Sequence, residues 1–289
     1  MDRILRNAAS RITISIYDRD GNLVDPDGQT VNVRVLNGAG AEHIAAGAAT
    51  RVSAGVYAKD LTSAQTDKLD TYEAEWTGAI ATQSVTLRSR FEVVGGFFFT
   101  VAEARTHDNA ALASTTTYPL ATVVEGRELV ENELEVACGV AFVRRGARAR
   151  LKANGSHELL LPHRYPREVY SCSIDGTALT ASEISALVLR DEGAIWRESE
   201  WTRSDTNPYN VILHYTHGHD EPPRRMRRAA LVLLRHRLVA SSIDDRAISF
   251  TDELGTRSLP VAGRAGQPFG IPDVDSAVQD FNERLPAIG

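Results

Sequence analysis

The apolar residues of this chain change their period once, near Val93-Val94-Gly95-Gly96, and that change limits what the chain can fold into. Before it they alternate by twos. Arg11-Ile12-Thr13-Ile14-Ser15-Ile16, Val31-Asn32-Val33-Arg34-Val35 and Tyr72-Glu73-Ala74-Glu75-Trp76 each put every second side chain on one face, as a half-buried strand does. Asp20-Gly21, Asp27-Gly28, Asn37-Gly38 and Thr77-Gly78 separate the runs and supply the tight turns that hairpins need. Six or seven short strands in about 80 residues predict an all-β sandwich over residues 1–94. Trp76 is in phase with Tyr72 and Ala74, which assigns it to the core rather than to an exposed aromatic platform.

After Phe97-Phe98-Phe99 the period is helical. Thr100 and Glu103 form a capping box, each satisfying an amide of the first turn. A longer amphipathic helix is predicted from about Thr117 and Pro119. Its stripe is Leu120, Val123, Val124, Val130, Leu134, Ala137 and Ala141, with Glu125, Glu128, Glu131 and Glu135 opposite. Short strands are expected at 145–151, 159–161, 168–170, 187–189, 194–196 and 211–215. Pro222-Pro223 then introduce a helix over about 224–241, with Met226, Ala230, Leu233, Leu234 and Leu238 inward and arginines outward. A terminal helix is predicted over 271–285, opened by Pro272 and Asp273. The expected fold class is α+β in two domains: a sandwich at 1–94, and a mainly α-helical domain with a β-strand insertion at 97–289.

The chain has 289 residues, 43% of them hydrophobic and 24% charged, enough for two cores. Its formal charge of -6 is spread evenly, with 10 basic against 12 acidic residues over 1–94 and 22 against 26 beyond. Neither part is a polycation suited to wrapping nucleic acid. Cys138 and Cys172 stand far apart without a CxxC partner, which argues against a disulfide framework or zinc site and for buried thiols. The opening MDRILRNAAS has no apolar segment after it, and no window approaches the roughly 18 apolar residues of a membrane span, so neither a signal peptide nor membrane association is expected.

Five pieces follow one another in order: Phe99-Thr-Val-Ala-Glu-Ala-Arg105, Ala137-Cys-Gly-Val-Ala-Phe142, Leu161-Pro-His-Arg-Tyr-Pro-Arg-Glu-Val169, Tyr215-Thr-His-Gly218 ahead of Pro222-Pro223, and Gly270-Ile-Pro-Asp-Val-Asp275. In this order residues 97–289 resemble the head-to-tail connector or adaptor family of long-tailed (siphovirus-type) bacteriophages. The resemblance implies two helices, a β excursion, a return strand ending in a Tyr-x-x-Gly turn before prolines, and a further helix. It also implies a ring of copies, dodecameric, seated on the portal protein, with a stopper or tail component below. DNA would pass through the channel without specific binding. The protein would reside in the virion neck after assembly in the host cytoplasm. Residues 1–94 lie outside this match and resemble immunoglobulin-like modules through the Asp20-Gly21 turn, Gly55-Val56-Tyr57 and the Tyr72 to Trp76 strand, a likeness of architecture only.

Several clusters carry chemistry. His214-Tyr-Thr-His217-Gly-His219-Asp220-Glu221 offers zinc or iron ligands, but without an HExxH spacing it reads as a turn after a strand, a metal-dependent hydrolase being the alternative. Asp18-x-Asp20-Gly21 and Asp25-x-Asp27-Gly28 lack the rest of a calcium loop and read as hairpin turns, as do Gly38 and Gly40. Arg224, Arg225, Arg227, Arg228, Arg235 and Arg237 make a basic helix whose ordinary reading is a solvated face; Arg224, Arg225 and Arg228 are assigned to intersubunit charge contacts. No nucleophile elbow is present, so no enzymatic activity, catalytic residue, metal or cofactor is expected. A surface protein binding carbohydrate or a receptor through residues 1–94 is the other alternative. Ile271, Val274, Val278, Phe281 and Leu285 recur at three- and four-residue steps, which predicts a helix docking on the portal from a polar tether at 261–270.

Overall fold

The computed structural model describes residues 2–204, 206–239, 249–252, 255–258 and 268–283. Among them the fold is mixed α and β, mostly strand, arranged in several sheets. The first stretch runs β1 (Asp2–Leu5), β2 (Ser10–Ser15), β3 (Val31–Leu36), β4 (Glu42–Ala48), β5 (Thr50–Ser53), β6 (Val56–Leu61), β7 (Thr71–Ile80) and β8 (Gln83–Val94). One sheet has the order β1-β8-β7-β3-β4 and a second β2-β6-β5. Their inward positions share one core, in which Ile12, Tyr57 and Leu61 of the second sheet meet Val33, Tyr72, Trp76 and Phe91 of the first. Trp76 is fully buried there and its indole N–H donates to Ser89 Oγ at 2.9 Å.

Two details depart from expectation. Thr77-Gly78 is not a turn but the interior of β7; the hairpin turns at Ala81-Thr82, both in left-handed conformation (φ 48° and 65°). A two-residue turn with positive φ matches the twist of its strands. Here Asp27 replaces the usual glycine advantage by accepting the amides of Ala81 and Thr82. The opening residues also form a strand: β1 lies parallel to the end of β8, from Asp2 beside Phe91 to Leu5 beside Val94.

The chain continues through α1 (Val101–Ala110), α2 (Leu120–Cys138), β9 (Arg145–Leu151), β10 (Glu158–Leu160), β11 (Pro166–Ile174), β12 (Thr177–Ala178), α3 (Ala181–Ser185), β13 (Val188–Arg190), β14 (Ala194–Trp196), β15 (Val211–His217), α4 (Arg224–Leu238), a β16 (Ser249–Asp252) and β17 (Gly255–Ser258) hairpin, and α5 (Pro272–Glu283). By compactness residues 1–96 group with 144–218, and 97–143 group with the residues from 219 onward. The β excursion thus belongs to the first unit. It has a core of its own around Trp201, Ile195, Leu213 and Tyr215, under the sheets β12-β11-β15-β9 and β10-β14-β13. Gly146 of β9 passes so close to Leu69 that a Cβ there would lie 1.9 Å from the Leu69 carbonyl oxygen. Beside it Arg148 Nη2 donates to Asp70 Oδ2 at 2.6 Å.

The second unit is mainly helical. The Thr100 and Glu103 capping box forms as expected, with the Glu103 amide donating to Thr100 Oγ1 and the Thr100 amide to the Glu103 carboxylate. Val123, Val130 and Leu134 of α2, Met226, Ala230, Leu233 and Leu234 of α4, and Val274 and Val278 of α5 meet in one core with Phe98 and Phe142.

Candidate functional site

Of the five residues expected to dock on a portal, four lie in or against the core of their own unit. Val274 and Val278 are buried, Ile271 and Phe281 pack against the same core, and the Phe281 ring meets Phe142 edge-on at 4.8 Å between centroids. Leu285 and most of the tether at 261–270 lie outside the described residues. The physical reason is proximity: α2 and α4 already present apolar faces, and a helix as short as α5 is marginal until its stripe is buried.

The arginines of α4 divide. Arg225 pairs with Asp280 and donates to Ser276 Oγ, Arg227 pairs with Glu103, Arg235 with Asp108 and Arg237 with Glu133. Of the three assigned to intersubunit contacts, Arg225 is therefore engaged within the chain. Arg224 and Arg228 are exposed and have no ion pair among the described residues.

Sequence reasoning missed a buried charged cluster on α2. Glu131 and Glu135 were expected on the solvent side, yet Glu131 is fully buried and Glu135 and Arg127 nearly so. Glu131 Oε1 accepts the Phe98 amide at 2.8 Å, and Glu135 Oε1 accepts the Phe142 amide at 3.1 Å. The Arg127 guanidinium lies 3.6 Å from the centroid of the Phe97 ring, and its Nε is 4.0 Å from Glu131. Buried carboxylates persist where charge and hydrogen-bond partners meet them. The two amides lie outside α2, in the segments before α1 and after α2, so helical periodicity alone gives no sign of them.

The histidine run does not assemble a metal centre: among the described residues no group of three or more His, Cys, Asp or Glu is placed to hold an ion. His214 Nε2 lies 3.4 Å from the Leu69 carbonyl oxygen and 3.8 Å from Asp70 Oδ2. His217 is buried and stacks on His163 with centroids 4.0 Å apart, while His163 Nδ1 meets the Tyr215 hydroxyl at 2.8 Å. Burial pushes the His217 imidazole down to about 3, the neighbouring His163 adding to the effect, and burial lowers His163 and His214 as well. His219 belongs to the helical unit, where it stacks on Phe142. Both thiols are buried, and burial pushes Cys138 up to about 12 and Cys172 to about 11, so neither is a ready nucleophile. Asp18 accepts the amides of Asp20 and Asn22, and Asp25 accepts from Arg51, Gly55 and Tyr57, so both carboxylates serve turns. No helix of the described residues is long and apolar enough to cross a membrane.

No family model matches the chain, and no curated protein matches it. Among solved structures it is similar to a chain from the neck of an empty GTA particle computed with C6 symmetry, at 18% identity and a TM-score of 0.43, covering 66% of this chain and 92% of that one. A DUF4785-family protein from Legionella pneumophila matches at 9% identity and a TM-score of 0.22, over 75% of this chain and 45% of that one.

Proposed function

We propose that this chain is a structural subunit of a tailed-phage or phage-like virion, a head-to-tail adaptor of the neck. Copies form a ring, dodecameric on the family pattern, beneath the portal protein. The ring joins the DNA-filled head to the stopper or tail and leaves a channel through which DNA passes without specific binding. The observation that carries this reading is the order of elements: α1 and α2, an excursion from β9 to β15, a return strand whose Tyr215 to Gly218 end turns at a glycine with φ 98°, then Pro222-Pro223, α4 and α5. That is the order the adaptor resemblance implies, with the two helical segments brought into one core.

On this reading residues 97–289 are the adaptor, and residues 1–94 are an immunoglobulin-like accessory domain with a core drawn from those residues alone. The role is structural, not enzymatic, and assembly takes place in the host cytoplasm. Cryo-electron microscopy of the intact particle tests it. A ring of this chain between portal and tail is the expected result; density for it only on the capsid surface or tail tip refutes it.

A further inference from the structure

Two faces of the helical unit stand without partners among the described residues. On α2, Leu129 is 50% exposed and Val136 is 74% exposed; with Leu120 they are the exposed large apolar side chains among the described residues of this unit. Positions seven apart lie along one line of a helix, and Glu125, one turn before Leu129, lies on that line too. Glu125 is exposed, and among the described residues no cation pairs with it. On α4, Arg224 and Arg228 stand one turn apart at the positive end of the helix dipole. Like charges at this spacing repel, while four other arginines of the same helix each meet a carboxylate. Next to Arg228 a groove of about 210 Å³ runs between α4 and α5, floored by Ala229 and Val232 and rimmed by Arg225, Asp273 and Ser276.

The two faces match in spacing and sign. Glu125 and Leu129 are four residues apart, as are Arg228 and Val232, so each helix offers a charge and an apolar position about 6 Å apart along its axis, with opposite charges. Laid parallel, α2 of one copy sets Glu125 on Arg228 of the next and Leu129 over the Val232 groove. We infer that this face is filled by a second copy of the chain: the exposed side of α2 packs into the α4 and α5 groove of its neighbour. The inference rests on the neck-ring reading and names the faces such a ring uses. Because the faces differ, the contact is heterologous and every copy keeps one of each to offer, the arrangement that generates rings. DNA is the rival for Arg224 and Arg228. A phosphate backbone would account for the two arginines alone, however, and would leave Leu129 and Val136 of α2 uncovered. One helix face is smaller than the roughly 800 Å² per partner of a standard interface, so the contact is weak between free copies and gains strength from a template.

Charge-reversed full-length chains test this. Glu125→Arg puts arginine on both faces and Arg228→Glu puts glutamate on both. Each alone is expected to self-associate at least tenfold more weakly than the parent by sedimentation at high concentration, whereas an equimolar mixture associates again because every contact in it is complementary. A chain carrying Glu125→Cys with Arg228→Cys is expected to give, on oxidation, a ladder of disulfide-linked species beyond the dimer; Glu125→Cys alone stops at the dimer. The inference is overturned if single variants associate like the parent, if the mixture stays as inert as its components while both melt normally, or if the double-cysteine chain gives no ladder. It is equally overturned if Arg228→Glu abolishes retention of duplex DNA without changing self-association, which assigns the face to DNA. A ring seen in the neck with no ladder rejects these faces and leaves the neck reading standing; a ladder from a chain absent from the neck does the reverse.

Discussion

Lowering the pH from 7.5 to 5.0 should destabilise the first unit through His217, and the magnitude follows from its burial. An exposed imidazole titrates near 6.5, while His217 in the folded chain is held down to about 3 by burial and by the adjacent His163. Between those values the unfolded chain binds a proton that the native chain does not, so stability falls as pH falls through 6.5 and the loss ends near 3. At pH 5.0 this single group costs about 2 kcal/mol, and by pH 3 roughly 4 kcal/mol. His163 and His214 are lowered by burial and act in the same direction; for His214 the nearby Asp70 partly opposes the effect. The groups around His217 are His163, the Tyr215 phenol that bonds His163, and Arg145 opposite it on β9. Urea unfolding followed by tryptophan fluorescence is a suitable assay, because Trp76, Trp196 and Trp201 all lie in the first unit. His217→Gln removes the titrating group, so the parent should lose about 2 kcal/mol more than the variant over this pH step. Equal losses in the two chains would refute the assignment.

Glu131→Ala should cost about 3–5 kcal/mol, because it strips the Phe98 amide of its acceptor and leaves buried Arg127 facing a lost charge; a circular-dichroism melt within 1 °C of the parent would refute this. Ending the chain after Gly270 should lower the melting temperature by several degrees, since Val274 and Val278 contribute about 1.5–3 kcal/mol each by burial. An unchanged melt would return α5 to the role of a detachable docking helix. Residues 1–94 expressed alone should unfold cooperatively in urea on the strength of their own core, and a featureless, gradual transition would refute that separation.

Elements whose pattern is local were legible in the sequence. The period-two runs became β2, β3 and β7, the capping box opened α1, and the inward residues of α4 are those its stripe predicted. What escaped depends on long-range partners. β1 is four residues with charges in its sequence, and it becomes a strand only because the end of β8 lies open beside it. Glu131 and Glu135 read as solvated because a helical wheel sees charge but not amides outside the helix, those of Phe98 and Phe142. The apolar stripe of α5 was visible, whereas its partner was not: periodicity shows that a face must be buried and is silent on which surface buries it. The last turn of α1 was hidden too, since Asp108, Asn109 and Ala110 adopt left-handed geometry while Asp108 meets Arg235, again a partner far along the chain.

The α2 glutamates set a mechanical condition on the chain. It passes between the two compact units three times, at 96/97, 143/144 and 218/219. Just inside the helical unit each thread is tied: the Phe98 amide to Glu131, the Phe142 amide to Glu135, and the His219 amide to the Ala141 carbonyl. Tension applied to the first unit is therefore delivered in large part to one turn of a single helix. A pull on any thread must extract a buried carboxylate's hydrogen bond or peel away the segment beside it before the helices separate, which makes this turn the rivet of the molecule and the place where force-induced rupture should begin.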